Sequence, residues 1–241
     1  MKFDVIIIGS ELDALIASIR LNELGYTSKI IANGKGSILY SLGNIKILKS
    51  KNNPFSNFQQ LSNNHPYNIL GKENVMNSID WFIKYTNNMN LGYLYKKENM
   101  QTISALGIII ESYGLYLNQV NFNELLNTNV SIISFKNQRD FHPNIIKQTL
   151  HKFVNKIEII EVFPPENDKH IDNASLAHSF DNLENIEEFT SQIDKKINKN
   201  SKILLFPAVL GINNYNNIIK KIENLLKKKC FEIPTLPPSI P

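Results

Sequence analysis

Cysteine is nearly absent. Cys230 stands alone in 241 residues, which excludes an internal disulfide and fits a reducing compartment. Glycine is scarce, at ten residues or about 4% against a usual share of about 7%. Nucleotide-binding loops normally hold more of it, because the backbone there must approach phosphates closely. No apolar run approaches the roughly 20 residues of a membrane span. The longest, Ile203 to Ile212, is interrupted by Pro207 and Gly211. Any membrane association is therefore expected to be peripheral. Charge of one sign is also lacking. The net charge of +4 is small and dispersed, which does not point to nucleic acid. The tight basic run Lys227-Lys228-Lys229 closes a predicted helix, where cations suit the dipole. No secretory leader is expected, since Met1-Lys2 runs straight into a strand.

The opening residues carry the strongest positive signal. Residues 3 to 33, FDVIIIGSELDALIASIRLNELGYTSKIIAN, read as a buried strand, a tight turn, an amphipathic helix and a second strand. Val5 to Ile8 form the first strand and Gly9 the turn. Leu12, Leu15, Ile16, Ile19 and Leu24 supply the helix face, and Gly25 ends it. This is the start of a dinucleotide-binding βαβ unit, in which a phosphate rests on the exposed amides of the helix N-terminus. The fingerprint G-x-G-x-x-G/A should fall at positions 9, 11 and 14, which hold Gly9, Glu11 and Ala14. Ala14 is a tolerated variant. Glu11 adds bulk and negative charge where two phosphates should lie, and Asp13 brings a second carboxylate to the same turn. Both acids also suit the helix dipole without any ligand. Asn33 follows the second strand, where an acidic residue would bind a ribose hydroxyl, a role an amide fills more weakly.

Residues 34 to 72 lack strong periodicity and read as a long ordered excursion that covers a ligand. A helix is expected from about Glu73 to Met89, with Val75, Ile79, Trp81, Phe82 and Tyr85 on its apolar face. Residues 91 to 117 read as two or three strands, with LGIII and YGLYL as β-rich runs separated by Glu111-Ser112. From 129 onward strands and helices alternate. VSIISF, KIEIIEVF, SKILLF and CFEIPT are the strands. Helices lie over FHPNIIKQTLHKFV, over 173 to 198 and over 213 to 228, which implies a parallel layer with strand centres buried on both faces. The expected fold is α/β: an incomplete FAD/NAD(P)-binding Rossmann-like domain with an inserted second α/β region. Residues 1–72 are the N-terminal part of the nucleotide domain and 73–241 the inserted region.

Other candidates are thinner. Asp168, His170, Asp172, His178 and Asp181 have metal-ligand spacing but read better as a solvated helix start capped by Asp172 or Asn173, and no metal is expected. His65-Pro66-Tyr67 reads as a turn with Tyr67 packed, or as a contact at a cofactor face. Ser37, Ser41, Gly43 and Asn44 lie just beyond the second strand, where hydroxyls and small residues can line a flavin.

Eight segments, in order, resemble the B subunit family of bacterial anaerobic glycerol-3-phosphate dehydrogenase. They are FDVIIIG (3 to 9), GKGSILYSLGNI (34 to 45), HPYNILG (65 to 71), ALG (105 to 107), RDF (139 to 141), NASLAHSFDN (173 to 182), FPAVLG (206 to 211) and PTLPPSI (234 to 240). The resemblance implies a flavoprotein subunit, holding FAD or FMN, of a cytoplasmic, membrane-associated complex. That complex oxidises sn-glycerol 3-phosphate to dihydroxyacetone phosphate and passes electrons toward quinone. The implied cofactor contacts are Gly9, Ser10, Glu11, Leu12, Asn33, Gly34, Ser37, Ser41 and Gly43, with other subunits of the complex as partners and no catalytic acid or base assigned. Two departures stand out. The family's glycine-rich opening, roughly GGGLAG, is here GSELDA. Family members also run to roughly four hundred residues, so a form truncated on its C-terminal side is expected. Alternatives are a cofactor-free remnant or scaffold subunit, another flavin-dependent oxidoreductase, and a nicotinamide enzyme, which the missing acidic ribose ligand disfavours.

Overall fold

A computed structural model describes residues 2–34, 36–37, 41–50, 53–89, 92–165 and 172–235. The chain divides into two compact units, Met1–Gly43 and Asn44–Pro241.

The first unit holds β1 (Val5–Ile8), α1 (Leu12–Glu23) and β2 (Ser28–Ile31), with β1 parallel to β2 from Val5↔Ser28 to Ile8↔Ile31. Asp4 fastens the start of the pair. Its carboxylate accepts from the Thr27 amide at 2.8 Å and the Thr27 hydroxyl at 2.7 Å. Those bonds, the hydroxyl's first, hold the Asp4 carboxyl below its ordinary range. The expected buried first strand is not buried. β1 alternates between half-buried and exposed, with Ile6 61% and Ile8 87% exposed. A two-stranded sheet covered on one face by a helix leaves its other face to solvent. On α1 only Ala14 is buried, while Leu12 and Leu24 of the expected apolar face are exposed.

The second unit contains an antiparallel hairpin, β3 (Tyr93–Ile103) and β4 (Ile109–Tyr116), whose register shifts between Tyr95 and Met100. The region holds two strands, within the expected two or three, but LGIII and YGLYL both fall in the turn and β4 rather than in separate strands. Leu106 and Gly107 lie in the hairpin turn, where Gly107 has φ 72°, and Glu111-Ser112 lies inside β4. The described residues between 44 and 72 pack within this unit. Ile45 bridges Gly114, a 3-10 turn covers Pro54–Gln60, and α2 (Pro66–Leu70) leads into α3 (Lys72–Asn88). Phe55, Phe58, Val75, Ile83 and Tyr113 form the small core beneath.

The rest is a four-stranded parallel sheet. Its strands are β5 (Asn129–Phe135), β6 (Lys156–Val162), β7 (Ile203–Pro207) and β8 (Lys229–Ile233), in spatial order β6-β5-β7-β8. Its helices are α4 (Pro143–Leu150), α5 (Asn173–Asp181), α6 (Ile186–Asp194) and α7 (Tyr215–Leu226). Pro143 sits at the first turn of α4, where its missing N–H costs no helix bond. The chain moves one way from β5 to β6 and the other way through β7 and β8. With right-handed crossovers this sets helices on both faces. Ile133, Phe135, Leu204 and Phe206 pack with Leu176, Phe180, Phe189, Ile193 and Ile222 of α5, α6 and α7. Val130, Ile132, Ile203 and Leu205 pack with Ile146 and Leu150 of α4, and with Ile103 and Phe122. All five residues of β7 are buried, as a strand covered on both faces requires. The expected strands and parallel layer are therefore present and the α/β class holds, but burial on both faces fails at the edge strand β6, where Glu158 is half-buried and Glu161 exposed. Strand order reverses between β5 and β7, the place where open α/β sheets offer a crevice at their carboxyl ends.

Candidate functional site

The turn after β1 has the expected geometry. Gly9 has φ 119°, a conformation L side chains avoid, and its amide donates to the Ile31 carbonyl at 2.9 Å. Glu11 is the N-cap residue of α1, yet its side chain does not cap the helix. Instead the carboxylate reaches the segment after β2. It accepts from the Ser37 amide at 2.9 and 3.0 Å and from the Ser37 hydroxyl. The hydroxyl first, and then the amide, hold the Glu11 carboxyl below its ordinary range. Ser10 donates weakly to the Gly34 carbonyl at 3.5 Å, and Gly36 approaches the Ser10 carbonyl so closely that it has no room for a Cβ. Ser10, Glu11, Gly34 and Ser37 are thus brought together. Leu12 and Asn33 are exposed. Ser41 accepts from the Gly43 amide at 3.1 Å, and Asn44 donates to Ser112 within the second unit. Lys35 and Ile38 to Tyr40, which fall in the resemblance segment 34 to 45, lie outside the described residues.

Tested against a pyrophosphate, these residues do not fit as arranged. An ionised carboxylate sits beside the helix N-terminus, and it engages the Ser37 hydroxyl and amide.

The remaining candidates have local partners. His65 Nδ1 accepts from the Tyr67 amide at 3.1 Å to start α2, and Tyr67 stacks on Phe58 at 5.3 Å. Asp172 caps α5 by accepting from the Ser175 amide at 2.8 Å. Asp168 and His170 lie outside the described residues, as does most of PTLPPSI. Among the described residues no three His, Cys, Asp or Glu side chains are grouped as a metal site. None of their helices is long and apolar enough to cross a membrane.

Sequence reasoning missed a second carboxylate anchor. Asp181 Oδ1 accepts from the amides of Ile212 at 3.0 Å, Asn213 at 3.0 Å and Asn214 at 2.9 Å, in the loop that links β7 to α7. An aspartate at the end of a helix gives no local sign of partners so distant in sequence. Partial burial works to raise its pKa, but the three amides and nearby His178 outweigh that and lower it.

Comparison with known proteins supplies the rest. The chain matches, along its whole length, proteins named as the B subunit of anaerobic glycerol-3-phosphate dehydrogenase. The one from Actinobacillus pleuropneumoniae is 26% identical, with 61% of its own length covered. Those from Mannheimia succiniciproducens and Aliivibrio fischeri are 25% and 23% identical, with 61% and 58% of their lengths covered. No family model and no solved structure matches. The resemblance carried by the eight ordered segments is therefore shown from end to end: this chain is similar throughout to the B subunit of anaerobic glycerol-3-phosphate dehydrogenase, and spans about 60% of the length of those relatives.

Proposed function

We propose that the chain serves as the B subunit of an anaerobic glycerol-3-phosphate dehydrogenase complex. The observation that carries this reading is the match over the whole chain to proteins of that name. In the proposed reaction the secondary alcohol of sn-glycerol 3-phosphate loses two electrons and two protons to give dihydroxyacetone phosphate, and quinone is the acceptor. Other subunits of the complex are the partners, and contact with the membrane is peripheral. Residues 1–72 supply part of the nucleotide domain in this reading, and 73–241 the inserted region.

A flavin, FAD or FMN, belongs to this reading as the cofactor of the assembled complex. This chain's own βαβ turn admits one only after Glu11 releases Ser37. No step is therefore assigned to residues of this turn. A cofactor-free scaffold role has no observation that favours it over the reading as a dehydrogenase component.

The test is to recover the chain from its native cells with its bound partners, and to measure dye reduction driven by glycerol 3-phosphate. Activity that co-fractionates with the chain and falls on its depletion supports the reading. Full activity in the depleted fraction overturns it.

A further inference from the structure

Glu232 lies on β8 with 5% of its surface exposed, and its carboxylate accepts from the Leu210 amide at 2.9 Å. Its backbone joins β8 to the connection that follows the hairpin. The Glu232 amide donates to the Asn118 carbonyl at 2.8 Å, and the Val120 amide donates to the Glu232 carbonyl at 3.2 Å. Gln119 is its partner in this parallel bridge. Bridge partners share a face of the sheet. Gln119 is 3% exposed, and both its amide oxygen and its amide nitrogen are buried with no hydrogen-bond partner among the described residues. A buried carboxamide with neither half satisfied is rare and calls for an explanation.

The titratable groups facing this cluster are phenols. Tyr116 comes from β4, its ring 5.4 Å from that of Tyr215 on α7, and Tyr93 comes from β3. Burial first, then Tyr215 and Glu232, push the Tyr116 hydroxyl well above its ordinary range. Further along β8, Lys229 is paired with Glu124 at 3.2 Å, and Glu223 of α7 accepts from the Cys230 amide at 2.9 Å. The cluster around Glu232 is thus polar and neutral except for Glu232 itself.

We propose that Glu232 is a proton-operated latch between β8 and the Asn118–Val120 connection. When protonated, its carboxyl gives a hydrogen to the neighbouring Gln119 carboxamide oxygen and keeps accepting from Leu210. When ionised, it has no hydrogen to give the Gln119 oxygen and holds its negative charge away from water, and the strand edge loosens. Burial raises the folded-state pKa to about 7, against the opposing pull of the Leu210 and Val209 amides. The sign follows from linkage. The folded state holds a proton that the opened state has lost, so the latch is fully closed below the ordinary glutamate range and weakens as pH rises through neutrality.

The experiment is hydrogen exchange of the Val120, Leu210 and Glu232 amides in the full chain, corrected for intrinsic chemical rates. Opening is expected to increase about tenfold from pH 6 to pH 8. Glu232→Gln, which keeps an acceptor for Leu210 but cannot ionise, should remove that increase. Should the variant fail to fold, carboxyl-carbon NMR titration of Glu232 in the parent chain decides. Titration near neutrality supports the latch. Titration in the ordinary glutamate range overturns it, and so does an unchanged pH dependence in Glu232→Gln.

Discussion

Asp181 and Gly211 meet so closely that a Cβ on the glycine would lie 2.8 Å from Asp181 Oδ1. Gly211 also has φ 107°, which L residues rarely adopt. Both constraints serve one arrangement, in which the carboxylate gathers the loop amides at the start of α7. Gly211→Ala should therefore destabilise the chain by about 1–3 kcal/mol through backbone strain, with the clash adding to it. Urea denaturation of the parent and the variant measures the difference, and an unchanged midpoint would refute the account.

Asp181 should also leave an acid signature. Its folded-state pKa is lowered, so its contribution is present above the ordinary aspartate range and is lost as pH falls through the folded value. The gap in Tm between the parent and Asp181→Asn should be largest near neutrality and shrink only as pH falls below the ordinary aspartate range. A gap that does not change with pH would place the effect in packing instead.

Glu11 governs flavin uptake in the proposed reading. The purified chain should carry little flavin. Glu11→Gly should raise uptake by removing bulk and charge together, and by freeing Ser37. Asp13→Ala should do less, since the Asp13 carboxylate accepts from the neighbouring Ala14 amide and makes no bond to Ser37. Flavin absorbance after desalting compares all three chains. Stoichiometric flavin in the parent would show that Glu11 yields readily.

The open face of the first unit predicts self-association. Ile6 and Ile8 expose apolar side chains on a two-stranded sheet, which invites pairing with another surface. Without a covering partner the chain should elute above monomer mass, and Ile8→Lys should shift it toward monomer. A monodisperse parent monomer in light scattering would count against this.

Much of the fold was legible because burial on both faces writes itself into sequence. Ile203 to Phe206 is a continuous apolar run, and β7 is buried throughout. The hairpin was harder to read. β3 carries the polar stretch Lys96 to Asn99 across a register shift, so no period of two survives there. The site was legible in its backbone and not in its contacts. Gly9 announces the turn, but nothing near Glu11 signals that its carboxylate closes on Ser37 after a whole helix and strand. Glu232 likewise lies in CFEIPT with nothing near it in sequence to signal that its carboxylate meets the Leu210 amide or that its backbone pairs with the Asn118–Val120 connection.

The strand order also sets a schedule for synthesis. β5 and β6 pair early, and α4 between them covers the face of Val130 and Ile132 at once. Their other face, with Ile133, Phe135, Ile160 and Val162, stays bare until α5, α6 and β7 have left the ribosome. A growing chain therefore passes through a stage with one finished and one sticky side. That stage is where a slow codon stretch or a missing chaperone would be felt, well before any defect in the mature molecule.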